Sequence, residues 1–486
     1  MEDFSTLYCP LTPADQLCYI HIPKTAGSTL TAIADAQFDV RQIAPAPRHL
    51  PAVTPAAQGC NPDQLKALLT QYRFIRGHFS HNDIRQLLTR PVYLTVLRDP
   101  VDRVISVYEF FRRAAQRGQP PETPEYAMLM KAAAEQDLLG FVLDPNPVVQ
   151  LRTSSFQTRQ LATWDGDWSA VSAGDRLRSA CASVDQFAWV GLTEQFQASA
   201  QLLSYRFGWY PAAVYQNLRV VTHKPRRDGV APDVIEAIAQ HNALDVALYQ
   251  HAKTRFETQY QQMLNALRRQ ENLQDPDDPA ALQAALQQHY VRHYAAPPLW
   301  GEIEGDAISQ ASLNRLLYDF RQPLSGEGWH RRNGRFNGIE VDQPVVRWSG
   351  PGLVSILDLP LPAGLAAQPT LRITVAIEQA IAPAVLDSLQ LSVNQQPIPL
   401  KVLTRPPTPQ PHAVTLQGPL PAIANSQPFI RLSFRVSQTL PRNLHNPALE
   451  DSRPVGFALQ QITIEPARRR WWPWRFPNPQ PPTPNP

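Results

Sequence analysis

The sequence predicts an α/β domain, a parallel sheet flanked by helices, followed by a separate all-β sandwich. Three observations predict it. Between Cys18 and about Tyr260, short apolar β-rich runs alternate with longer stretches of helical period, as strands joined by crossover helices do. From Gly301 to about Pro466 that period fades, and alternating runs such as LRITVAI and FIRLSFRV sit between Pro, Gly and Asn turns. The length of 486 residues, at roughly 100–200 residues per domain, calls for more than one core.

Composition narrows the function classes. Hydrophobic residues at 43% and charged residues at 18% supply material for sizeable cores, while 49 prolines, about twice the usual share, predict long irregular stretches. Lys+Arg at 45 against Asp+Glu at 42 leaves +3, too little over this length for a polyelectrolyte contact with nucleic acid. Any anion site must be local. Cys9, Cys18, Cys60 and Cys181 form neither a C-x-x-C pair nor a disulfide framework, so reduced thiols are expected. The start, MEDFSTLYCPLTPADQL, has no basic region leading into an apolar one, and no run of about 18 apolar residues occurs. A soluble, cytoplasmic protein is the expectation.

The first expected strand, CYIHI (18–22), runs into IPKTAGSTL, where a turn of small residues opens a helix. Unpaired N–H groups at a helix N-terminus lie at the positive end of the macrodipole and bind anions. Gly27 permits close approach, Thr25, Ser28 and Thr29 add hydroxyls, Ala26 adds its N–H, and Lys24 adds a full charge. The lysine precedes the glycine, so this is not the G-x-x-x-x-G-K-[ST] loop. The second strand, YLTVL (93–97), delivers Arg98 to its carboxyl end, the usual ligand position in open α/β sheets. Asp99 then caps a helix with Pro100 at its first position and an apolar stripe at Val104, Val107, Tyr108 and Phe111. A guanidinium suits a phosphate, and Ser106 adds a hydroxyl two turns on. The alternative is that Arg98 pairs with Asp102 and Ser106 only lies on the helix surface. The third strand is FAWVGL (187–192), and a helical zone follows from Asp233 to about Gln270.

These two blocks resemble the cytosolic and Golgi sulfotransferase superfamily, and within it the sulfotransferase family 2 group that includes heparan sulfate 2-O-sulfotransferases. HIPKTAGSTL looks like that group's loop for the 5′-phosphosulfate of 3′-phosphoadenylyl sulfate, and LRDPVDRVISVYEFF like its 3′-phosphate block. RFIRGHFS, FQTRQLA, FAWVGLTEQFQASAQLL and HNALDVALYQHAKTRF extend the likeness over about the first 260 residues. The resemblance implies the sulfotransferase fold with its P-loop-like sheet, no metal, Lys24 at the leaving oxygen, Thr25 to Thr29 on the 5′-phosphate, Arg98 and Ser106 on the 3′-phosphate, and His78 as general base. The heparan sulfate branch has another histidine two positions before its base, where this chain has Arg76. Gln157, Thr158 and Arg159 are read either as nucleotide or acceptor contacts or as plain helix residues, and Asp185 and Glu194 as solvated charges at strand and helix ends. His81, His289 and His293 lack metal-ligand spacing and read as ordinary polar residues.

The expected boundaries are a sulfotransferase domain over 1–265, a helical linker over 266–300, a sandwich over 301–466 and a disordered tail over 467–486. The sandwich looks like accessory modules beside glycan-modifying domains, with Trp329, His330, Arg347 and Trp348 read as sugar contacts and, for Trp348, a core tryptophan between two sheets as the alternative. The tail's RRRWWPWRF reads either as a weak contact with an anionic membrane or as a segment wrapped on its own protein. The function these readings imply is sulfuryl transfer to a glycan or glycolipid acceptor. A metal-dependent nucleotide kinase and a non-catalytic glycan-binding scaffold are the alternatives.

Overall fold

A computed structural model describes residues 7–44, 61–213, 227–294, 315–332, 345–405, 412–421, 428–446 and 451–467. Its first sheet is four-stranded and parallel in the order β2-β1-β3-β4, with β1 at Gln16–Ile20, β2 at Phe74–Gly77, β3 at Pro91–Leu97 and β4 at Trp189–Leu192. Ile20 lies opposite Gly77 on one side and Thr95 on the other, so the carboxyl ends of three neighbouring strands are level. Every residue of β1 is buried, as a parallel strand covered on both faces requires. The first expected strand starts two residues late, and His21 and Ile22 belong to the loop after it. β2 is not among the strands expected from sequence: FIRG is short and its third residue is an arginine, which breaks the apolar run.

Helices α1 (Gly27–Asp35), α2 (Pro62–Leu69), α3 (His81–Ile84), α4 (Pro100–Gln116), α5 (Pro124–Glu135), α6 (Leu138–Leu143), α7 (Pro147–Thr153), α8 (Phe156–Leu161), α9 (Ala173–Gln186), α10 (Phe196–Phe207), α11 (Pro232–His241), α12 (Ala243–Gln270) and α13 (Pro279–Arg292) surround this sheet. In α4 the Asp99 carboxylate accepts the N–H groups of Val101 and Asp102 and Pro100 takes the first position, while Val104, Val107, Tyr108 and Phe111 are buried. The helical zone expected after Asp233 is split at Asn242, whose buried side chain donates to the Ile238 carbonyl and accepts from Ser155 N–H. The linker reading of 266–300 does not describe α13. Leu282, Ala285 and Leu286 are buried in the same core as the sheet, and His289 donates its Nε2 proton to the Tyr205 carbonyl of α10. The proline and acidic residues before it only cap and start the helix.

The second domain is all β. One sheet of five strands runs β11-β10-β14-β8-β6, and another of six carries β12-β13-β9-β17-β5 with β7 beside β17. Their bounds are β5 Leu316–Asp319, β6 Gly326–Glu327, β7 Arg347–Trp348, β8 Val354–Pro360, β9 Leu371–Ala380, β10 Gln390–Val393, β11 Gln396–Ile398, β12 Lys401–Thr404, β13 Val414–Leu420, β14 Phe429–Arg435, β15 Leu440–Pro441, β16 Pro454–Val455 and β17 Phe457–Pro466. In β9, Leu371, Ile373, Val375 and Ile377 alternate inward at period two, against inward residues of β8, β14 and β17. Trp329 and Trp348 belong to this core and His330 and Arg347 are buried, so the core alternative holds for Trp348, and burial of all four argues against their being sugar contacts. Residues 468–486, on which the tail expectation falls, lie outside the described residues.

Candidate active site

The loop after β1 is shaped by its backbone. Lys24 and Ala26 both take the left-handed conformation, at φ 73° and 59°, which costs a non-glycine residue about 1–3 kcal/mol each; left-handed residues in a turn are how backbone N–H groups are set to cradle an anion. The Thr25 hydroxyl, fully buried, donates to the Ile22 carbonyl at 2.8 Å and pins the turn. Thr29 and Leu30 N–H return to the Ala26 carbonyl, starting α1; the first turn's N–H groups have no acceptor within the helix. Gly27 is buried, and a Cβ there would fall 1.7 Å from His21 Nε2, so only glycine lets the histidine ring lie on the start of the helix. The Lys24 ammonium sits 4.4 Å from the centre of the Phe110 ring on α4.

Arg98 follows β3 directly, and its guanidinium reaches back to this loop. Nη1 donates to the Lys24 carbonyl at 3.1 Å, and no ion pair with Asp102 forms among the described residues. Its Nε is buried without a hydrogen-bond partner among the described residues, a donor that a bound phosphate oxygen would satisfy. Ser106 is half-buried on α4, two turns beyond Arg98. His78 follows β2 and is exposed; its Nδ1 lies 2.9 Å from the His21 carbonyl, and the two imidazoles lie 4.3 Å apart between centroids, tilted by 34°, with His21 in turn stacked on Tyr19 at 5.2 Å. A carbonyl can only accept, so the Nδ1 position carries the proton and Nε2 carries the basic lone pair. Lys24, His78 and Arg98 thus come from the carboxyl ends of three adjacent parallel strands, the crevice where open α/β sheets take their ligands.

The supporting residues were only partly visible in the sequence. Gln157 does not face the crevice as a ligand contact: its side chain accepts from Arg98 N–H at 3.0 Å and donates to the Arg98 carbonyl at 2.8 Å, fixing that residue's backbone on both sides. Thr158 is spent on Asp245, and Arg159 lies over the Trp168 ring at 5.5 Å. Asp245, fully buried near the start of α12, accepts from the N–H groups of Gln157 and Thr158 at 3.0 and 2.7 Å and from the Thr158 hydroxyl at 2.8 Å, capping α8. Burial pushes its carboxyl up, against the pull of the buried Arg103 guanidinium and those hydrogen bonds; Arg103 is itself pushed down to about 10 by burial. No local pattern singles out Asp245: it lies inside the helical zone expected from Asp233, and its partners Gln157 and Thr158 are 88 and 87 residues away. Asp185 does pair at the surface, with His251 at 2.8 Å, while Glu194 is tied into the site, accepting from Asp99 N–H and from the Tyr249 hydroxyl.

Arg76 stands on β2 two residues before His78. It is buried, its Nε lies 3.4 Å from Asp35, and it donates to the Ala44 carbonyl, so it serves the packing of α1 rather than the exposed side of His78.

Residues 11–173, which hold β1 to β3, the Lys24 loop, His78, Arg98 and α8, match the family model described as Sulfotransferase family. That stretch of the α/β domain is similar to the sulfotransferase family. No curated protein matches the chain significantly. The α/β domain itself continues past the matched stretch, since β4, α10, α12 and α13 complete its core. Among the described residues, no group of three or more His, Cys, Asp and Glu is placed to hold a metal ion, and no helix is long and apolar enough to cross a membrane.

Proposed function

We propose that this protein transfers a sulfuryl group from 3′-phosphoadenylyl sulfate to a hydroxyl of a glycan or other carbohydrate-containing acceptor. The observation that carries this reading is the contact between the two anion-binding blocks, in which the Arg98 guanidinium donates to the Lys24 carbonyl at 3.1 Å. Two phosphate sites on one nucleotide need basic groups this close, and the orphan Arg98 Nε and the left-handed turn at Lys24 and Ala26 are donors arranged for anions. Thr25, Ala26, Gly27, Ser28 and Thr29 would hold the 5′-phosphate, and Arg98 and Ser106 the 3′-phosphate.

The transfer forms a bond from the acceptor oxygen to sulfur as the bond from sulfur to the bridging phosphate oxygen breaks. The acceptor proton passes to His78 Nε2, the nitrogen left basic by the hydrogen bond from Nδ1 to the His21 carbonyl. The negative charge released on the phosphate is met by Lys24 and by the N–H groups of the loop. His78→Ala is expected to lower transfer of labelled sulfate to the best of a panel of glycans by about 10²- to 10⁴-fold. Its affinity for 3′-phosphoadenosine 5′-phosphate should stay within about twofold of wild type, because the imidazole acts on the acceptor side. Undiminished transfer by the variant would remove His78 as the base.

A further inference from the structure

The β-sandwich reaches into the α/β domain with a buried arginine. Arg332 is 2% exposed and donates across the domain boundary to the carbonyls of Asp35 and Phe38, at 2.9 and 2.6 Å. Within its own domain it donates to the carbonyls of Phe320 and Gln322, at 2.7 and 3.1 Å, so one guanidinium joins the two backbones. Beside it, Val40 N–H donates to the Arg321 carbonyl and Leu324 N–H to the Ala36 carbonyl. Asp35 is the last residue of α1, where unpaired carbonyls and the negative end of the macrodipole favour a cation. The opposite end of α1 begins the anion loop. The helix has nine residues, about 13 Å, so its two ends move as one short rod. The Asp35 carboxylate faces Arg76 at 3.4 Å, and Arg76 stands on β2 two residues before His78.

We propose that Arg332 is a positioning residue of the donor site: the sandwich holds α1 from its far end and thereby sets the placement of the Lys24 loop, with the Asp35–Arg76 pair extending the restraint to the strand that carries His78. The sandwich is therefore part of the transferase and not a detachable module. This rests on the donor reading given above.

Calorimetry with 3′-phosphoadenosine 5′-phosphate on the full chain tests it. Arg332→Met is expected to weaken binding about tenfold, and Arg332→Lys, which keeps the charge but not the fork, by less. Ile464→Val, in the sandwich core and outside the hydrogen bonds that Arg332 makes to α1, lowers the melting temperature but should leave nucleotide affinity unchanged, which separates positioning from loss of stability. Hydrogen exchange on the wild type gives a readout that does not depend on the variants folding: nucleotide should raise protection in 27–40 and in 316–332 together. Binding by Arg332→Met equal to wild type, or protection confined to 27–40, overturns the proposal alone. A wild type that binds no nucleotide overturns the donor reading and this proposal with it.

Discussion

Lys24→Met is expected to cut sulfate transfer by about 10²- to 10³-fold, the loss that follows removal of one fixed donor aimed at developing negative charge. The affinity for 3′-phosphoadenosine 5′-phosphate should fall far less. The loop keeps its shape without the ammonium, because its left-handed backbone is pinned by the Thr25 hydroxyl on the Ile22 carbonyl and by the Arg98 guanidinium on the Lys24 carbonyl, none of which uses the lysine side chain. Methionine retains the length and the packing against Phe110 while removing the charge. Single-turnover transfer and nucleotide titration on the same preparation separate the two effects. A loss of affinity as large as the loss of rate would assign Lys24 to ground-state binding and leave the leaving oxygen without its cation.

Asp245→Ala is expected to destabilise the α/β domain by about 3–5 kcal/mol, measured by chemical denaturation. Two buried N–H groups lose their acceptor and Arg103, only 1% exposed, loses the opposite charge that offsets its desolvation. The damage runs toward the site, because α8 would lose its cap and α8 carries Gln157, whose side chain holds both backbone groups of Arg98. Under conditions where the variant is still folded, nucleotide affinity should fall as well. A cost below about 1 kcal/mol would reduce Asp245 to an ordinary helix cap.

The parts of this site that lie along the chain were legible in the sequence, and the parts that close through space were not. A lysine-led small-residue turn after an apolar strand, and an arginine ahead of an Asp-Pro cap, are local patterns whose chemistry follows from strand ends and helix starts. Both blocks fall where parallel register brings them together. Four residues with a buried arginine carry no periodic signal, so β2 is not legible in the sequence, and Arg76 is tolerated there because Asp35 and the Ala44 carbonyl answer it from other segments. Gln157 and Asp245 sit 88 residues apart, and their roles depend on that pairing, which no spacing rule reports. The helix over Pro279–Arg292 read as a linker since prolines and acidic residues flank it, yet Leu282, Ala285 and Leu286 find partners on helices distant in sequence. In the sandwich the long alternating strands were plain, while β6, β7 and β15, each of two residues, depend wholly on their neighbours.

The central claim is that the Lys24 loop and Arg98 hold the two phosphates of one adenosine nucleotide. Calorimetry with 3′-phosphoadenosine 5′-phosphate, adenosine 5′-phosphate and ATP on wild type and Arg98→Met tests it most directly. The first is expected to bind about tenfold to a hundredfold more tightly than the other two, the worth of a charge-assisted contact to the 3′-phosphate, and Arg98→Met is expected to erase the difference. Equal affinity of the wild type for all three would contradict it.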